Sequence, residues 1–195
     1  MDHHHDQTPD KKELGLRIAD ILFLLFLSAV LVCVTWLGVL NYREGNKTEE
    51  SKRNGEAWAT WLTEAGTTRF EAGFKHPACQ GGFKPKQQKA AKSNQPAPGT
   101  WGACLAYVLA ETELKDLRNP FFDKPPQLVT QCNPTNRQVV GAIVLEDLMA
   151  TPIGSTVPFV VTPLVAADPI DNKMQIRITI CDKGGYPIKI TELEF

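Results

Sequence analysis

The sequence predicts an α+β protein: a long N-terminal helix with a transmembrane first half, packed on a small antiparallel β-sheet head stapled by disulfides. Three observations carry this reading. Residues 21–40 contain no charged side chain. Four of the five cysteines lie beyond that run. Beyond Asn119 the apolar spacing switches from a helical period to a period of two, so helices come first and strands follow on short connections.

The first element is the apolar run. At 1.5 Å per residue, Ile21–Leu40 makes a helix about 30 Å long, the thickness of a bilayer's hydrocarbon core. A secretory signal has a shorter apolar region followed by a small-x-small cleavage site. Here the run ends in Gly38-Val39-Leu40-Asn41, so a permanent span is expected. Trp36 and Tyr42 near its far end suit an interfacial aromatic belt. The domain plan is a cytoplasmic tail or leader over 1–20, a transmembrane helix over 21–40, an amphipathic helix extension over 41–66 and an extracytoplasmic α+β domain over 67–195.

Charge does not orient the span. Lys11, Lys12 and Arg17 precede it, and Arg43, Lys47, Lys52 and Arg53 follow it, a near balance. Cysteine usage supplies the orientation. Cys79, Cys104, Cys132 and Cys181 contain no CxxC pair and read as two disulfides, hence an oxidising compartment for the head. Three connectivities are possible, and neighbour pairing, Cys79–Cys104 with Cys132–Cys181, is preferred. The expected location is the inner (plasma) membrane, single-pass, with the N-terminus cytoplasmic and the head periplasmic or extracytoplasmic.

After the span, Asn46 with Glu49 has the spacing of a capping box, and Ala57, Trp58, Trp61, Leu62 and Ala65 sit at helical spacing. One broken or continuous helix is expected over about 16–65, with Gly66 as its stop and both tryptophans in the core. Residues 84–99, with Lys84, Lys86, Lys89 and Lys92 among Gln, Pro and Ala, read as a mobile solvated loop. Trp101–Leu117 reads as a second helix with Leu105, Val108, Leu109 and Leu117 on its apolar side, ending ahead of Pro120. Strands are expected at Gln138–Leu145, Val157–Leu164, Met174–Cys181 and Pro187–Phe195. The Asp182-Lys183-Gly184-Gly185 stretch supplies turn chemistry between the last two.

Chemistry is sparse. The chain carries 21 basic and 22 acidic residues, a net charge of −1. That gives no global attraction to nucleic acid, and no nucleic-acid partner is expected. GxSxG, HExxH, Walker and GxGxxG motifs are all missing from the sequence. His76 and Cys79 offer two zinc ligands without a second pair, and Asp168, Asp171 and Asp182 read as turn caps, so no metal is expected. On one helix Glu111 and Glu113, two apart, would face different ways, poor geometry for paired acid–base work. Neither an enzyme activity, a cofactor nor a small-molecule substrate is expected.

The layout resembles the type IV pilins and the pseudopilins of type II secretion. In that family a short charged leader ends in glycine, a long helix follows that is apolar and then amphipathic, and a small α+β head completes the chain. Lys11-Lys12-Glu13-Leu14-Gly15 looks like the leader, and Asn119-Pro120-Phe121 looks like an element common in pilin heads. The resemblance implies processing between Gly15 and Leu16. It also implies an assembly role for Asp20, fifth after that glycine, which would neutralise the new amine of a neighbouring subunit within an apolar bundle. Leu16 stands where the family has phenylalanine, Asp20 where it has glutamate, and Arg17 where it is apolar. The implied function is a membrane-anchored structural subunit assembling with the bilayer, with copies of itself or with other envelope-assembly subunits. The alternative is an uncleaved, membrane-tethered periplasmic binding or adaptor module of an envelope complex.

Overall fold

A computed structural model describes residues 11–81, 99–151 and 158–195, the side chains of 11–17 excepted. The expected mobile loop at 84–99 lies outside the described residues except for Gly99. That residue is buried, its carbonyl accepting from the Ile170 N–H at 2.9 Å. Two compact units are present, Met1–Gly45 and Asn46–Phe195.

Helix α1 covers Lys11–Thr68, 58 residues. In the first unit its large apolar side chains from Ile18 to Leu40 are exposed. An 18-residue window there reaches a mean hydropathy of 2.6, with none of it buried. Length and composition therefore suit a membrane span, and a soluble core helix, which would be mostly covered, does not match. The hydroxyls of this candidate span bond to their own helix, Ser28 to the Leu25 carbonyl at 2.9 Å and Thr35 to Leu31 at 2.8 Å. They leave no polar hydrogen to be stranded in hydrocarbon.

In the second unit α1 is amphipathic. Ser51, Asn54, Gly55, Trp58, Trp61, Leu62 and Ala65 are buried, the i, i+3, i+4, i+7 stripe of a helix lying on a core, and buried Arg69 continues it just past the helix end. Asn46 and Glu49 lie inside continuous helix, not at a start, so the capping-box reading is corrected. Gly66 likewise does not stop the helix. It is a close-approach residue: a Cβ there would lie 2.9 Å from the Phe195 Cα and 3.0 Å from the Glu194 carbonyl oxygen. Gly55, three turns earlier on the same face, meets Ile180 and Ile190 side chains in the same way.

Helix α2 spans Trp101–Glu111 and is shorter than expected. Thr112 breaks it. Its backbone is extended, its hydroxyl donates to the Val108 carbonyl at 2.7 Å, and it accepts from the Leu114 N–H to cap a 3-10 turn at Glu113–Asp116. Val108 is fully buried and Leu105 and Leu117 pack on the core, while Leu109 is exposed and leaves the expected apolar side.

The sheet has the order β2-β1-β3-β4, with every pairing antiparallel. Its strands are β1 Ile143–Ala150, β2 Phe159–Pro163, β3 Gln175–Cys181 and β4 Pro187–Glu194. The first strand begins five residues later than expected. Residues Arg137–Val139 form a 3-10 turn, and Gly141 at φ +70° redirects the chain into β1. Gly141 also leaves room for Asn119, whose amide donates to the Val140 carbonyl at 2.8 Å. The same Asn119 side chain accepts from the Phe121 N–H at 2.9 Å, tying the Asn119-Pro120-Phe121 corner to the sheet.

Ile176, Ile178 and Ile180 are fully buried under α1, as the strict alternation in β3 requires. In β4, Ile178 pairs with Thr191 and Thr179 with Lys189, so Ile190 is the extra residue of a bulge. The bulge lets Ile188, Ile190 and Leu193 all pack on one core despite their uneven spacing. Away from α1, Arg177 bonds its register partner Glu192 at 2.9 Å, which holds the Glu192 carboxyl below its usual range.

Candidate functional site

Three features merit a functional reading: the N-terminal part of α1, the disulfide framework and two grooves in the head. Gly15 and Leu16 lie in helical backbone, with their side chains outside the described residues. Asp20 is exposed on the same helix, and Phe23 and Leu24, one turn further on, are exposed beside it. A lone carboxylate at the margin of an apolar span is costly in hydrocarbon unless it finds a partner or reaches the headgroups. The free Cys33 is exposed within the apolar stretch.

The cysteines pair as neighbours. Cys79, in the 3-10 turn Pro77–Cys79, joins Cys104 on α2 across a separation of 25, and Cys132 joins Cys181 at the end of β3 across 49. With Cys79 in a disulfide, the His76–Cys79 zinc pair is ruled out. The aspartates are occupied locally. Asp182 accepts the Gly184 and Tyr186 N–H groups at 2.8 Å each, and Asp168 accepts from Val165 at 2.7 Å. Among the described residues no group of three or more potential metal ligands is gathered.

The first groove, about 540 Å³, opens where α1 and α2 both end. Glu64, Ala65 and Thr68 line it from α1, residues 71–76 from the following loop, and Glu111, Thr112 and Glu113 from the end of α2. Glu111 and Glu113 thus meet the same groove, because the helix that would have splayed them stops at the first of the pair. On its floor the His76 ring packs against Trp61, Phe74 and Tyr107, with centroids 5.3–5.6 Å apart. The His76 Nδ1 is buried with no hydrogen-bond partner among the described residues. The second groove lies at one end of the sheet, between Asp147, Met149, Phe159, Asp171 and Glu194. Burial raises the Asp147 carboxyl above its usual range, and the carboxylates of Asp171 and Asp168 push it further up.

One buried charge was not anticipated. Arg69, just past α1, is fully buried and donates through one Nη to the carbonyls of Asp171, Asn172 and Phe195 at 2.8 Å each. Its guanidinium also stacks on the Phe70 and Phe195 rings, 4.6 and 4.5 Å from their centroids. Burial pulls the guanidinium below its usual pKa, and Asp171 opposes that shift. Its spacing was the available signal, since Arg69 continues the stripe of Trp58, Leu62 and Ala65 at i+4.

Two long-range elements, an apolar helix and a disulfide-bonded antiparallel head, define the class: an α+β protein with one candidate membrane span. Comparison with protein-family models, curated proteins and solved structures finds no match for the chain.

Proposed function

We propose that the chain is a bitopic, membrane-anchored structural subunit of the cell envelope, pilin- or pseudopilin-like, that assembles through its N-terminal helix. The observation that carries this is the apolar stretch of α1, whose large side chains are exposed among the described residues. Its natural neighbours are the bilayer, copies of itself and other assembly subunits. The two disulfides fit a head on the oxidising, periplasmic side of an inner membrane, with the N-terminus in the cytoplasm. Under this reading Gly15-Leu16 is the processing site and Asp20 the assembly carboxylate.

N-terminal sequencing of the membrane-extracted protein tests it. A mature start at Leu16 supports the pilin-like subunit, and an intact tail refutes processing. Asp20→Ala should abolish incorporation into fibres or complexes, and unchanged incorporation would refute the assembly role.

The second reading keeps the anchor but leaves it uncut, as a tethered adaptor of an envelope complex. The groove at the helix ends favours it, because a concave, charged surface on the head suits a binding module.

A further inference from the structure

The groove at the ends of α1 and α2 breaks a local rule of helix design. The C-terminus of a helix carries a partial negative charge, so cationic side chains belong in its last turn. Neither α1 nor α2 has a basic residue there. Both instead bring carboxylates to the groove: Glu64 near the end of α1, Glu71 just beyond it, Glu111 as the last residue of α2, and Glu113 two further on. All four are exposed. Arg69 directly follows α1, but it is fully buried, packs on the Phe70 and Phe195 rings and does not line the groove. Lys75 is the one basic residue lining the groove among those described.

Negative potential therefore gathers over an aromatic floor, in which the His76 ring meets the nearly covered Trp61 at a tilt and Phe74 edge-on. Ring faces attract ammonium and guanidinium groups, and carboxylates fix their orientation. The buried, unpartnered His76 Nδ1 adds a polar atom with no internal use among the described residues. Such local frustration is expected at functional sites, where a ligand supplies the missing charge.

We infer that this groove docks a basic segment, bearing arginine or lysine, of a partner polypeptide. Four carboxylates spaced around an open groove match several cations carried on one chain better than one compact ion. The inference goes beyond the anchor reading and does not depend on processing at Gly15.

The test uses the full chain in the uncharged detergent dodecyl maltoside, with an acetylated, amidated tetra-arginine peptide as probe in titration calorimetry. The wild type should bind, more weakly as ionic strength rises toward about 0.15 M. The Glu71→Gln/Glu111→Gln/Glu113→Gln variant should bind about tenfold or more weakly, and Asp147→Asn, in the other groove, should bind as the wild type does. If the triple variant melts at a lower temperature, the single Glu113→Lys variant replaces it, with loss of binding again expected. Failure of the peptide to bind, or equal binding by the groove variants, would overturn the inference. Spermine binding as tightly as the peptide would overturn it too, pointing to a small polyamine as occupant.

Discussion

Gly66 of α1 rests directly on the backbone of Phe195, where an added methyl would lie 2.9 Å from its Cα. Gly55 makes a comparable approach to side-chain carbons, Ile180 Cγ2 and Ile190 Cγ1, where an added methyl would lie 2.9 Å from each. The two contacts predict different costs. Gly66→Ala must push helix and strand apart, a loss of about 2 kcal/mol by the usual cost of overpacking. Gly55→Ala meets carbons attached directly to the Cβ of two stiff β-branched side chains, at 2.9 Å each, so its gain of about 1 kcal/mol in helix propensity should offset only part of the overpacking and leave a smaller net loss. Thermal melting of the two variants checks the order, and equal destabilisation would contradict it.

Arg69 holds three carbonyls from two distant segments. Arg69→Met keeps the bulk but leaves those oxygens without their donor in a buried site. A loss on the order of 3 kcal/mol is expected, read as a lower urea midpoint. A midpoint within error of wild type would mean the carbonyls are served by water.

Asp147 predicts a pH dependence with a definite sign. Its carboxyl is raised in the folded state, so the unfolded chain ionises first. The stability penalty is absent below the ordinary aspartate value and builds as pH rises through the folded pKa. Asp147→Asn should therefore melt slightly higher at neutral pH, and the difference should close in acid. Solvent screening keeps the gain below about 0.5 kcal/mol. Glu192 has the opposite sign: its carboxyl is lowered by Arg177, so that contribution is lost as pH falls.

The disulfides predict a simple labelling pattern. Only Cys33 of the five cysteines should react with maleimide in unfolded, unreduced protein, and all five should react after reduction. Removing Cys132–Cys181 should cost about 4 kcal/mol and Cys79–Cys104 about 3.5 kcal/mol by loop-closure entropy. Destabilisation in the reverse order, measured by denaturant melts of the Ala pairs, would implicate strain or packing over chain entropy.

Several features were legible in the residues alone because they are periodic or additive. The apolar run needs only its length, the stripe from Trp58 to Ala65 only its helical spacing, and the β3 isoleucines only their alternation. Other features depend on residues far apart in the chain. Gly66 looked like a helix stop because glycine usually is one, but Phe195 needed its missing side chain. Leu109 looked like a core residue, but it stands one position round α2 from the fully buried Val108 and is left outside. Glu111 and Glu113 seemed to point apart, and the helix break at Thr112 brought both to one groove. For Arg69 only the i+4 spacing hinted at burial, and the Ile190 bulge was invisible locally, since carbonyls 102–126 positions away decide the first and the register with β3 decides the second. The sequence by itself determined the apolar run, the helix-then-strand order and the four cysteines available to pair. Tertiary structure decided which glycines are contacts, which charge is buried and where the negative groove lies, because steric approach, desolvation and electrostatic potential sum over neighbours in space.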